Sequence, residues 1–283
     1  HAHADIVNID TGAAKAIEGV HAVVTGVDLK GKLIGECIND QPPMAHTKAR
    51  FVGEPVAAVI ADSPEIALEA CNKIIVSYNT LPPVFDPREA MEPDAPIIHE
   101  DLREYECFKT FCPIPGSNIF HHFKVRKGDV EKGFAEADRM FEHEFTYPHI
   151  SHAQLEPHGC IAWWKMDGNL DVYASAQSPF LVRHVLAKLF DLPHTKVRVV
   201  VPYIGGGFGG KSDCTIEPLT AYIAKFAKGR PVRVILEREE MFCGSLIGRG
   251  CHVIMKTGVK NDGTLVARKI DLEIGRASCR ERV

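Results

Sequence analysis

The sequence predicts an α/β (α+β) fold in two successive domains, and three observations carry that prediction. Short strand-like runs alternate with helix starts over the first part of the chain; a proline-rich stretch then breaks the pattern; the alternation resumes near Ser117 and leads into a run of glycines. At 283 residues the chain is long enough for two cores of ordinary size.

In the first domain, residues 1–91, Ala4 to Ile9 alternates polar and apolar residues as a strand does. Thr11 stands where it can cap a short helix through Ile17, and His21 to Thr25 predicts a second strand. Phe51 to Ala61 holds the best candidate for a buried strand. Ser63-Pro64-Glu65 then supplies an N-cap, a first-turn proline and an early acid, opening a helix to about Lys73. Ile74 to Tyr78 closes this module of mixed strands. Residues 92–116 predict an ordered linker, with prolines at 93, 96, 113 and 115, acidic residues among them, and Ile97, Ile98, Phe108 and Phe111 as apolar anchors.

The second domain spans residues 117–273. Ile119 to Val125 predicts a strand, Gly128-Asp129 the start of a helix through Ala137, and Met140 to Tyr147 another strand. Ile161 to Met166 and Leu170 to Ala176 form a hairpin around Asp167-Gly168-Asn169. Ser178-Pro179 opens a helix that ends before Pro193, and Lys196 to Val201 is a strand. The helix from Thr215 to Lys228 closes at Gly229, with Pro231 just beyond. Val232 to Leu236 is a strand, Arg238 to Glu240 a solvated helix start, and Asn261-Asp262-Gly263 a hairpin turn. Residues 274–283 are expected to be a non-native, adapter-derived tail; with His1 at the front, the chain is expected to be a fragment truncated at both ends.

A net charge of −4 and a pI near 6.4 point to no nucleic-acid partner, and no apolar run reaches membrane-spanning length. Cys37, Cys71, Cys107, Cys112, Cys160, Cys214, Cys243 and Cys251 contain no C-x-x-C pair, which excludes a zinc ribbon, a disulfide scaffold and an iron–sulfur ligand set. A cytoplasmic protein is expected from that cysteine usage.

The centre of the second domain is Pro202 to Asp213, with five glycines in six positions and Phe208 as the one bulky side chain among them. Such a backbone suits positive φ or a ligand pressed against bare amides, and a following helix start would favour an anion. Gly205, Gly207 and Gly210 fit the dinucleotide pattern, and Gly205 to Ser212 fits the triphosphate loop with Lys211 as its lysine. Neither has its context. The next strand ends in Glu237-Arg238 rather than a metal-holding aspartate, and no acidic strand end follows at dinucleotide spacing. His143, His149, His152, Glu156, His158 and Cys160 have ligand chemistry, but Pro148 and Pro157 deny them a common helix face. Trp163-Trp164 is expected to pack one ring into the core and one toward the ligand side.

The runs GVHAVVTGVDL, FVGEPVAAVIADSPEIALEA, KGDVEKGFAEADRMFEHEF, HAQLEPHGCIAWW and GGGFGGK, in this order and spacing, resemble the molybdenum-binding subunit of the xanthine dehydrogenase and aldehyde oxidase family. The resemblance implies an α/β hammerhead domain followed by the first part of a molybdenum-cofactor-binding domain. It implies an oxidoreductase that hydroxylates an N-heterocycle or aldehyde with water-derived oxygen. The cofactor would be molybdenum–molybdopterin, in a plain or cytosine dinucleotide form, and electrons would leave to 2Fe-2S and FAD centres on partner subunits. Gln177 matches the glutamine beside the metal's oxo ligand; Gly206, Gly207, Phe208 and Gly209 match the loop that approaches the cofactor. No side chain ligates the metal directly. The family's glutamate base lies beyond this chain, so no catalytic residue is assigned. Ser212 stands where purine-oxidising members carry a glutamate, which argues against a purine substrate; the GGGFGGKSD and REEMF runs are also similar to the hydroxybenzoyl-CoA reductase branch. A triphosphate hydrolase and a non-catalytic scaffold relative are the competing readings.

Overall fold

Antiparallel pairing, rather than the mixed sheet expected, organises the first domain in the computed structural model, which describes residues 1–29, 31–35 and 37–275. β1 (Ala4–Asp10) is followed by α1 (Gly12–Lys15) and β2 (Val20–Thr25). Thr11 makes no side-chain cap; Asp10 Oδ1 accepts from Gly12 N at 2.9 Å instead, and the helix runs a single turn. With β3 (Lys48–Ala49), β4 (Ala57–Ala61), α2 (Pro64–Cys71) and β5 (Ile75–Thr80) in place, β3-β1-β5 forms one sheet and β2-β4 another. Ser63 caps α2 as its sequence predicts, accepting from Ile66 N at 3.3 Å.

The run from Phe51 to Ala61 is a strand only from Ala57 onward. Its first half turns, because the Glu54 carboxylate takes Arg50 N at 2.7 Å and Pro55 has no amide to give a ladder. Gly53, at φ +93°, lies against the second domain, where a Cβ would come within 2.8 Å of the Cys243 carbonyl carbon.

Ile98 and Leu102 are buried, Cys107 bridges to Ile38, and Phe108 N donates to Cys37 O, so this proline-rich stretch is docked rather than loose. The strand expected over Ile119–Val125 does not form. Asn118 pins its start, accepting from Ile98 N and donating to Ala90 O and Pro96 O. The alternating rings then pack on one another, Phe111 on Phe120 and His121 on Phe123, rather than on a neighbouring strand.

α3 (Val130–Ala135) starts at Asp129, whose carboxylate accepts from Lys132 N at 3.0 Å. β6 (Arg139–Tyr147), β7 (Gly159–Trp164) and β8 (Leu170–Ala174) lead to α4 (Pro179–Leu189), β9 (Val197–Val200) and α5 (Glu217–Ala224). β10 (Val232–Ile235), α6 (Arg238–Gly244), β11 (Gly250–Val259) and β12 (Leu265–Gly275) complete the chain. One sheet runs β10-β7-β8-β9, the other β12-β11-β6. β12 extends through Ile274 and Gly275, paired with Cys251 and Gly250; the rest of the expected tail, residues 276–283, lies outside the described residues.

The core gathers where α5 packs along β7 and α4 along β9. Every residue of α5 is buried, and Leu170, Val172, Val182 and Leu186 are at most 1 % exposed. Leu186→Ala is expected to lower stability by about 2–5 kcal/mol, read from urea denaturation, because α4 leaves the cavity little room to collapse. Among the described residues no helix is long and apolar enough to cross a membrane.

Candidate functional site

β8 and β9 are parallel neighbours, Leu170 opposite Val197 and Tyr173 opposite Val200, so their C-terminal ends open on the same side. Segments leaving parallel strands at such an end meet in a crevice. Gln177 leaves β8 there, and the glycine loop leaves β9.

The two are directly bonded. Gln177 Oε1 accepts from Gly209 N at 2.9 Å and from Lys211 N at 3.2 Å, while Gln177 N donates to Lys211 O at 2.8 Å. Gln177 is exposed, and with its carboxamide oxygen occupied by two amides the Nε2 is the end left to donate. A Cβ on Gly207 would stand 2.5 Å from Gln177 Oε1, so only glycine lets the loop cross the amide at this distance. Gly206 and Gly209 take φ of +100° and +94°. Phe208 has φ +53° and is 74 % exposed, its ring curled back toward Gly206. The sequence thus places Gln177, Gly206, Gly207, Phe208 and Gly209 in one patch, and the fold brings all five together.

Three residues that sequence reasoning did not assign to this patch hold it from behind. Lys211 Nζ, with no side-chain exposure, donates to Glu156 Oε2 at 2.8 Å and to Ser175 Oγ at 2.7 Å. The same Glu156 oxygen accepts from Ser175 Oγ at 2.7 Å and from Gly205 N at 2.7 Å. Burial opposes charge on Glu156, but the Lys211, Ser175 and Gly205 bonds outweigh it and hold the carboxyl below its ordinary value. The one visible signal was the lysine after the glycines, which the triphosphate pattern would point at a phosphate. Here it is turned inward, so that reading fails on geometry.

The other candidates scatter. α5 begins only at Glu217, whose carboxylate accepts from Thr215 N at 2.8 Å, so its N-terminus serves its own acid and not the glycine loop. Ser212 Oγ donates back to Gly209 O at 2.7 Å. His143 stacks between Phe141 and Phe145 on β6, and His149 Nδ1 accepts from Gly250 N. His158 is buried, and burial pushes the Cys160 thiol well above its ordinary value. Among the described residues no three such side chains converge on a metal position. Trp164 packs edge-on against Phe190 and donates to Ala221 O, as a core ring should. Trp163 donates to Gly229 O, at the turn after α5.

Residues 113–275 match the molybdopterin cofactor-binding domain, and residues 1–82 match the aldehyde oxidase and xanthine dehydrogenase a/b hammerhead domain. The chain belongs to the molybdopterin cofactor-binding domain family. It is 35 % identical over 271 residues to a probable xanthine dehydrogenase subunit of Bacillus subtilis, covering 95 % of this chain and 34 % of that protein. Among solved structures it is similar to the reconstituted CO dehydrogenase of Oligotropha carboxidovorans, with a TM-score of 0.84 and 32 % identity over 96 % of this chain and 34 % of that one. It is similar also to quinoline 2-oxidoreductase of Pseudomonas putida 86, with a TM-score of 0.82 and 28 % identity over 96 % and 34 % of the two chains. The chain spans about a third of the length of these members of the family.

Proposed function

We propose that Gln177 and the loop of Gly206, Gly207, Phe208 and Gly209 hold the molybdopterin cofactor of a molybdenum-dependent oxidoreductase. The observation that carries this reading is the occupied carboxamide oxygen of Gln177, which leaves its Nε2 to donate to an oxygen of a bound group. The loop fits the cofactor in two further ways: amides without side chains allow close approach, and an exposed ring stands beside them to exclude water. When bound, the group supplies a two-electron redox centre. This chain's part is to seat and orient it, with a neutral amide that adds no charge.

On the same reading the complete enzyme is cytoplasmic and hydroxylates an N-heterocycle or aldehyde with water-derived oxygen. Electrons pass to iron–sulfur and FAD subunits, and the pterin is in its plain or cytosine dinucleotide form. Gln177→Glu tests the outward donor and the neutrality of the amide together, since a carboxylate oxygen still accepts from Gly209 N and Lys211 N while the donor is lost and a charge is added. The variant holoenzyme should keep its fold and lose about 10²–10³-fold in kcat/KM across a panel of heterocycles and aldehydes. An unchanged kcat/KM would refute that role, and a wild-type holoenzyme without molybdenum would refute the cofactor assignment.

A further inference from the structure

We propose that Lys211 is a positioning residue that fixes the shape of the glycine loop by clamping its near end to Glu156, just ahead of β7, and its far end to the segment that leaves β8. At the near end its ammonium shares one oxygen of Glu156 with Gly205 N, and Glu156 N returns a bond to Gly205 O at 3.2 Å. At the far end its own backbone donates to and accepts from Gln177. Ser175, two residues before Gln177, accepts from the same ammonium. The side chain and the backbone N–H and C=O of one residue therefore set where the loop enters and where it leaves.

A lysine is needed for this task. Its stem is fully enclosed, so the usual freedom of the side chain is already removed. An apolar residue of the same length would fill the space but release Glu156, whose side chain is 35 % exposed and can turn to water, taking Gly205 with it. Within the span Gly210 N donates to Gly207 O, Ser212 N and Oγ both donate to Gly209 O, and Gly209 N donates to Gln177 Oε1, a bond that depends on Gln177 staying in place.

The clamp itself is independent of the cofactor; its consequence for cofactor retention rests on the proposed function. The experiment uses Lys211→Met and the double variant Glu156→Leu/Lys211→Met, each made as holoenzyme and, from a host unable to make molybdopterin, as cofactor-free protein. In cofactor-free Lys211→Met, amide hydrogen exchange in the peptide spanning 205–212 should accelerate at least tenfold, with the peptides of β8 and α4 unchanged. In the holoenzyme, molybdenum per protein should fall at least fivefold. The double variant removes both charges and should recover the wild-type Tm, since apolar replacement of a buried ion pair is often neutral or stabilising, while the fast exchange and the molybdenum loss persist. Unchanged loop exchange in Lys211→Met would overturn the proposal. So would recovery of slow exchange and molybdenum together with Tm in the double variant, which would make the pair purely structural. A wild-type holoenzyme without molybdenum would sink the cofactor reading and leave the exchange measurement to decide the clamp.

Discussion

Gly207→Val is expected to leave less than about a tenth of the cofactor in the holoenzyme, measured as molybdenum per protein, because overpacking at that point cannot relax locally. The new Cβ would come 2.5 Å from Gln177 Oε1 and 2.7 Å from Gln177 Cδ. Gly207 does not take the left-handed backbone of Gly206 and Gly209, so the fault is collision and not strain. The collision is relieved only if Gln177 or the loop moves, and either movement stretches the bond from Gly209 N to Gln177 Oε1. Overpacking of this kind costs about 1–3 kcal/mol, which leaves a stable domain folded. Full molybdenum occupancy in a folded Gly207→Val would remove the loop from the proposed site.

Glu156→Ala should be the most destabilising change behind the loop, by about 3–5 kcal/mol, since it strands a fully enclosed ammonium. The companion measurement is the pH dependence of Glu156→Gln. The folded-state carboxyl of Glu156 lies below its ordinary value of 4.5. Its contribution is therefore complete above that value and is lost as pH falls through the lower folded value. The stability gap between wild type and Glu156→Gln should stay level from neutral pH down to about 5 and close at more acid pH. A gap that widened on acidification would contradict the ion pair.

Much of the architecture was legible because its signals are local. Ser63 before Pro64 and Asp129 before Val130 announce α2 and α3 by chemistry confined to one turn, and both caps form. The hairpin of β7 and β8 follows from its turn residues. Alternation alone misled over Ile119–Val125, where the pattern is right for a strand but, among the described residues, no strand pairs with it. Thr11 misled for the opposite reason, a good cap residue beside an aspartate that reached the amide first. The adjacency of Gln177 to the glycine loop came from the family pattern and not from periodicity. The Glu156–Lys211 pair was invisible because 55 residues separate its members, and a lysine after glycines looks like a ligand-binding residue until its surroundings are known.

Phe208 illustrates a trade that a protein engineer would meet at once. Its left-handed backbone costs a non-glycine residue about 1–2 kcal/mol, and a ring left 74 % in water recovers little of that by burial. Glycine there would relax the main chain at the expense of a floppier denatured state, so thermostability screens should be nearly indifferent to the exchange. A selection based on robustness alone would thus discard the aromatic freely; if Phe208 lines the proposed cofactor site, a screen for cofactor retention would keep it.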